Sequence, residues 1–429
     1  MVSMTDFSAA CKKNQLLKDI FYSAVTAASP DASIAKYLPQ RPSGHTVVVG
    51  AGKAGASMAV EVERAWGDEI EGLVVVPYAH GLPTKSIEVV QAAHPVPDAQ
   101  GEAVAGRLLN MVSGLSPDDL VLCLISGGGS ALMALPADGL SLADKREINS
   151  RLLKSGAAID EMNTVRKHLS KIKGGRLGLM ANPARVVTIG ISDVPGDDPA
   201  VIASGPTVAD PTTFADAMAV LEKYSIEAPQ NVLRFLQDGM AGKIEETPKP
   251  GDERMARCEV HLIATPAMAL AAAGVAAKKA GYEPLILGDD IEGEAHEVGL
   301  AHARLAIDMA NAGKTKVAII SGGETTVTVK GTGRGGRNGE YLLGLVLGLD
   351  GHRDINAIAC DTDGIDGTEK NAGAICGPDT LSKGRGVGLD GAAMLDNNDA
   401  YSFFAALDDL IITGPTLTNV NDFRCILIG

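Results

Sequence analysis

Short apolar runs alternate with amphipathic stretches along most of this chain. The segments 46–50, 73–77, 87–92, 119–125 and 185–191 are short and rich in apolar and β-branched residues, while 53–66, 99–113, 141–157 and 163–172 repeat apolar residues at helical spacing. Continuous runs of this length predict strands covered on both faces, and their alternation with helices predicts a doubly wound parallel sheet. A second α/β series follows, with strands expected at 258–264, 283–288, 315–321, 325–330, 355–360, 410–413 and 423–428 and helices at 266–280, 294–312 and 338–348. Only a few residues separate 315–321 from 325–330, so this pair predicts a hairpin and a mixed second sheet. A helix is expected over 6–28 with Asp6 as its N-cap. The polar, Gly- and Pro-containing stretch 238–257 predicts a linker. The expected fold class is therefore α/β in two domains, 1–245 and 255–429, with the packing partner of the first helix left open.

The strands share one further property. TVVVG runs into Gly50-Ala51-Gly52-Lys53-Ala54-Gly55, and LVLCLI runs into Ser126-Gly127-Gly128-Gly129-Ser130. RVVTIGI runs into Ser192-Asp193-Val194-Pro195-Gly196-Asp197-Asp198, KVAII into Ser321-Gly322-Gly323-Glu324-Thr325, and INAIAC into Asp361-Thr362-Asp363-Gly364-Ile365-Asp366. Ligands of open α/β sheets bind beyond the carboxyl ends of the strands. Glycine amides, hydroxyls, acids and a few cations at those ends suit phosphate and a metal ion.

Individually the loops are weak signals. Gly50–Gly55 matches the dinucleotide fingerprint of a Rossmann-like domain. With 50 glycines in 429 residues such matches arise by chance, and Gly331–Gly336 is a second one. The acid that would hold a dinucleotide ribose is missing, because the next strand ends in Pro77-Tyr78-Ala79-His80. Gly52 and Lys53 are then read as phosphate- or carboxylate-facing, and the amides of Ser126 through Ser130 as an anion cradle. The run from Asn163 to Arg176 is locally basic, with Asn163 expected to cap a helix that Gly174 ends. Arg166, Lys173 and Arg176 could face an anion, against the plainer reading of a solvated helix face. Arg334 and Arg337 sit between glycines before a helix and suit carboxylate or phosphate. Asp193, Asp197 and Asp363 could hold Mg²⁺ or take a proton, although Asp and Gly are also ordinary turn residues. His94 follows a strand and is placed in the cleft.

Composition narrows the options. A formal charge of −15 argues against nucleic acid and against an anionic membrane as partner. Six cysteines without a C-x-x-C pair read as free thiols in a reducing compartment. No basic and apolar leader and no membrane-length apolar run is apparent, so a cytoplasmic location is expected. There is no G-x-x-x-x-G-K-[ST], no H-E-x-x-H and no G-x-S-x-G.

Taken in order, GAGKA, HPVPD, SGGGSAL, NTVRKHLSKIKGGRL, SDVPGDD with SGPT, SGGET, GRGGRNGE, DTDGIDG and TNVNDFRCILIG resemble the type II glycerate kinases, the MOFRL family. The similarity spans about Val47 to Ile428. It implies a two-domain enzyme with its active site in the interdomain cleft, and ATP- and Mg²⁺-dependent phosphorylation of D-glycerate, usually at the 2-hydroxyl. Some members are labelled hydroxypyruvate reductase. By position, Lys53 and Arg337 match the family's cleft cations and 126–130 its phosphate loop. Ala264-Thr265-Pro266-Ala267 departs from the Ser-Asn pair expected there. The resulting candidates are Lys53, Arg337 and Asp193 as catalytic groups; Ser126, Gly127, Gly128, Gly129, Ser130 and Gly52 for phosphate; His94, Arg166, Glu324 and Arg334 for substrate; and Asp197 and Asp363 for metal. Rival readings are an NAD(P)H-dependent hydroxypyruvate reductase and a non-catalytic hydroxy-acid binding protein. Assembly as a homodimer is left open.

Overall fold

The computed structural model describes residues 4–67 and 69–429, whose strands form two six-stranded sheets. The first contains β1 (Thr46–Ala51), β2 (Glu71–Pro77), β3 (Ile87–Ala92), β4 (Leu120–Ile125), β5 (Arg185–Ile191) and β6 (Cys258–Ala264), in the order β3-β2-β1-β4-β5-β6. Pairings β1–β2, β2–β3, β1–β4 and β4–β5 are parallel, with Val49 opposite Leu73 on one side and Cys123 on the other. Every residue of β1 and β4 is buried, which is why their sequences are continuously apolar. Val47, Val49, Leu73, Val121 and Cys123 join Leu108 of the helix Ala99–Met111 in one core.

The second sheet contains β7 (Glu283–Gly288), β8 (Val317–Ser321), β9 (Ile355–Asp361), β10 (Gly373–Cys376), β11 (Leu410–Ile411) and β12 (Asp422–Ile428), ordered β11-β10-β9-β12-β8-β7. β7 and β8 are parallel, whereas β12 runs antiparallel to both β8 and β9, so the sheet is mixed. The helix Arg337–Leu349 is buried nearly all round and shares a core with Ala303 and Ala306 of the helix Ala295–Asn311.

Several expectations need correction. The mixed character comes from β12 and β10, not from a hairpin, because 325–330 is irregular apart from one bridge between Thr326 and Glu294. β6 belongs to the first sheet rather than opening the second series. The stretch 238–257 is no linker but an internal part of the unit Ser33–Ile263. Its polar residues are consumed in pairing: Glu246 bonds His168 Nε2 and the Phe214 amide, and Thr247 donates to Asp210. The chain up to Ala32 groups with Ala264–Gly429. The first helix runs Met4–Ala27, so Asp6 falls inside it, and its side chain lies outside the described residues. Leu17, Ile20, Phe21 and Ala24 are fully buried, with the Phe21 ring 5.7 Å from that of Phe423. Asn163 is not a cap: the helix is Ile159–His168, and the Asn163 side chain accepts from Ser204 Oγ at 3.1 Å. Among the described residues no helix is long and apolar enough to cross a membrane.

Candidate active site

The order of the first sheet reverses between β1 and β4, and a crevice opens where strand order reverses. The two loops leaving these strands are tied together there. Ser126 N donates to Ala51 O at 3.1 Å, Lys53 N to Gly127 O at 2.8 Å, and Ala54 N to Ser126 Oγ at 2.9 Å. Gly52 makes this approach feasible. Its φ is +136°, and a Cβ there would stand 2.1 Å from Ser126 Oγ. Lys53, half-buried, follows directly.

The glycine loop is only partly available as an anion cradle. Ser126 N and Gly129 N are used inside the chain, whereas among the described residues the amides of Gly127 and Gly128 have no partner. Gly128 has φ +83°, and its α-carbon faces the His94 ring; a Cβ would sit 3.0 Å from Cδ2 and Nε2.

Beside this loop lies a cavity of about 260 Å³ that brings together His94, Gly128, Ser130, Lys145, Asn149, Arg166 and Lys173. Its other walls are apolar, among them Ala131, Ala134, Ile148, Leu153 and Leu169. Local sequence explains how the cations arrive. Ser141 and Asp144 form a capping box that starts the helix Leu142–Ser155, which carries Lys145, Ile148, Asn149 and Leu153 at helical spacing toward the cavity. Lys145 Nζ donates to Leu169 O at 3.0 Å, and Arg166 Nε to Asn149 Oδ1 at 2.7 Å. Lys173 Nζ donates to Ser130 O at 2.6 Å and to Ser130 Oγ at 2.5 Å. Ser130 Oγ in turn meets Ser204 Oγ at 2.9 Å.

Neutral oxygens are the partners of Lys145 and Lys173. Burial, and then the neighbouring Arg166, push the Lys145 ammonium down to about 7. Burial, Lys145 and Arg166 hold Lys173 well below the usual lysine range, and burial also lowers Arg166. Three basic groups crowded without a carboxylate favour their protonated forms when an anion enters.

At the end of β5, Asp193 is half-buried and Asp197 has φ +55°. Asp197 Oδ1 is a buried carboxylate oxygen with no hydrogen-bond partner. No group of three or more His, Cys, Asp or Glu among the described residues is arranged to hold a metal. Mg²⁺ usually takes only one or two protein carboxylates plus substrate phosphates, and the unpartnered Asp197 oxygen is a donor of that kind.

The second unit has its own polar centre around Arg337. Its Nε donates to Asp422 at 2.7 Å, its Nη2 to Asp361 at 2.9 Å and its Nη1 to Glu324 at 2.8 Å. Burial opposes the charge, but Asp422, Asp361 and Glu324 outweigh it and keep the guanidinium protonated. Arg424 is only 1% exposed, pairs with Asp422 at 2.7 Å, and lies over the Tyr341 ring. Asp366 accepts from the amides of Asn338 and Gly339 at the start of the helix Arg337–Leu349, and burial pushes it up to about 6. Asp363 is buried and accepts from the Ile365 amide at 2.8 Å.

The candidates thus separate. His94, Arg166 and Ser130 line one cavity, beside Gly52, Lys53 and the glycine loop, all within the unit Ser33–Ile263. Glu324, Arg337 and Asp363 belong to the other unit. Arg334 is instead an exposed arginine clasped by Glu369 at 3.0 and 2.6 Å and stacked on Tyr401. Arg176 does not join Arg166 and Lys173: it bonds Glu245 O and lines a separate groove. Sequence reasoning overlooked Lys145 and Asn149, which sit in an otherwise charged helix that reads as solvated. It also overlooked Asp422 and Arg424. Two opposite charges inside the buried strand DFRCILI were a legible signal, since such groups are buried only when paired.

Two family models match the chain: a domain of unknown function, DUF4147, over residues 16–237, and the MOFRL family over residues 317–422. A putative hydroxypyruvate reductase of Agrobacterium vitis is 52% identical over 97% of this chain and 94% of its own length. The D-glycerate 2-kinase of Thermotoga maritima is 39% identical over 95% of this chain and 96% of its own. The crystal structure of a glycerate kinase from Thermotoga maritima superposes with a TM-score of 0.87 at 38% identity, covering 97% of this chain and all of that one.

Proposed function

The chain belongs to the MOFRL family of glycerate kinases, and on that premise we propose that it transfers the γ-phosphoryl group of ATP to the 2-hydroxyl of D-glycerate. The observation that carries this reading is the likeness to glycerate kinases over nearly the whole chain, in sequence and in fold. The anion-suited loops at the β1/β4 reversal are what phosphoryl transfer requires, because that reaction depends on positioning and charge stabilisation more than on covalent chemistry.

The glycerate 2-oxygen forms a bond to the γ-phosphorus, the bond from that phosphorus to the β,γ-bridging oxygen breaks, and ADP leaves. We assign the hydroxyl proton to the Asp193 carboxylate. Lys53 and the amides of Gly127 and Gly128 offset phosphate charge at the end of β1 and β4. Asp197, with its unpartnered carboxylate oxygen, would hold Mg²⁺, which when bound neutralises phosphate charge. Arg337 is retained as a catalytic candidate of the other unit, where the carboxylates around it fix its guanidinium plane.

The reductase names among the relatives motivate a control. The dinucleotide reading still lacks its ribose acid, because β2 ends at Pro77 and Tyr78-Ala79-His80 follows. A ³¹P NMR time course with ATP, Mg²⁺ and D-glycerate tests the proposal, with NADH and hydroxypyruvate in parallel. A new ester coupled to a CH proton is expected. A CH₂-coupled ester would move the acceptor to the 3-hydroxyl, and NADH consumption without an ester would replace the kinase by the reductase.

A further inference from the structure

Kinase chemistry alone does not say which group of the substrate this basic cavity takes. We propose that the cavity lined by Lys145, Arg166 and Lys173 is the subsite for the hydroxy-acid carboxylate, and not for the nucleotide phosphates; this rests on the kinase reading above.

Size is the first argument. The cavity measures about 260 Å³, where a single water needs roughly 10–15 Å³ of such space. A three-carbon hydroxy acid fits there. Chemistry is the second. Arg166 uses Nε on Asn149, which fixes its plane, and Nη2 on the weak acceptor Met162 Sδ at 3.9 Å, so its remaining terminal N–H groups can fork a carboxylate. Lys145 and Lys173 flank it, each held by backbone or hydroxyl oxygens that an acid does not have to displace. Their pairing with neutral oxygens also means that no protein carboxylate competes for the site. Ser130 and Asn149 supply hydroxyl partners, and Ile148, Leu153 and Leu169 form the apolar wall that a short carbon chain meets. The third argument is position. The cavity and the glycine loop share Gly128 and Ser130, so an acid bound by its carboxylate lies beside the amides suited to phosphate.

The test is calorimetric titration of the full chain with D-glycerate and with its neutral amide, each without nucleotide and with ADP and Mg²⁺. Wild type, Lys145→Met and Arg166→Lys are compared, with melting curves to verify folding and KM measured separately for glycerate and ATP. The expected result is binding of the acid but not the amide, at least tenfold weaker in both variants, with the KM for ATP within twofold of wild type. Equal binding of acid and amide, unchanged affinity in both variants, or a raised KM for ATP with that for glycerate unaltered would each overturn the assignment. Wild type that binds glycerate at these residues yet forms no ester would refute the kinase reading and leave the subsite standing.

Discussion

Asp422 is the residue whose removal has the most calculable consequence. Its Oδ1 accepts from Arg337 Nε at 2.7 Å and Asn338 Nδ2 at 2.8 Å, and its Oδ2 from Arg424 Nη2 at 2.7 Å. In Asp422→Asn, Arg337 keeps Asp361 and Glu324. Arg424 keeps only the neutral oxygens Gly322 O and Thr325 Oγ1. A fully buried guanidinium is then left without a counter-charge, which costs about 3–5 kcal/mol. In a domain of this size that corresponds to a fall of roughly 6–20 °C in the melting temperature. Arg424→Met removes the stranded charge, so Asp422→Asn in that background should cost far less, with a coupling of about 2–3 kcal/mol. Differential scanning calorimetry of wild type, both single variants and the double variant supplies the cycle. Additive losses, agreeing within about 0.5 kcal/mol, would show that Asp422 does not compensate Arg424 and would remove the basis for its role in fixing Arg337.

Other consequences are more direct. Gly52→Ala places a methyl into Ser126 at a φ of +136° and should cost roughly 2–6 kcal/mol, read from the urea unfolding of the unit containing the single Trp66 by its fluorescence. Lys53→Ala should lose most phosphoryl transfer with an unchanged melting curve; turnover near wild type would refute its assignment. Asp193→Asn should lower kcat by about 10²–10⁴-fold, and a fall confined to KM would exclude it as the proton acceptor. Lys145 titrates near 7 in the empty cavity, below its unfolded value, so the unfolded chain binds more protons and stability rises with pH between about 7 and 10.5. A bound carboxylate favours the ammonium, so the KM for glycerate should climb as pH rises above about 7, and the climb should flatten in Lys145→Met.

The sequence by itself determined the local elements and the places where chemistry sits. Apolar continuity marked β1, β2, β4 and β5 because buried parallel strands carry few polar residues, whereas the edge strand β3 keeps Glu88 and Gln91; the glycine, serine and aspartate loops at the strand ends were legible as the place where ligands bind. It also determined family membership, since the ordered motifs span nearly the whole chain. Pairing partners were decided by tertiary structure. β6 reads like any other strand, yet it adds to the first sheet, and the first helix reads as amphipathic without naming Phe423 as its partner. The polarity of 238–257 looked like a linker because a sequence shows charges but not the His168 and Asp210 that satisfy them. Arg334 and Arg337 sit three residues apart in the same glycine-rich run, but one is clasped by a surface glutamate and the other by three carboxylates at strand ends. Arg166 and Lys173 read as one basic run, but only the fold brings Lys145, from the preceding helix, into the same cavity. Strand and helix formation rests on neighbours a few residues away, whereas a binding site is an agreement among distant ones.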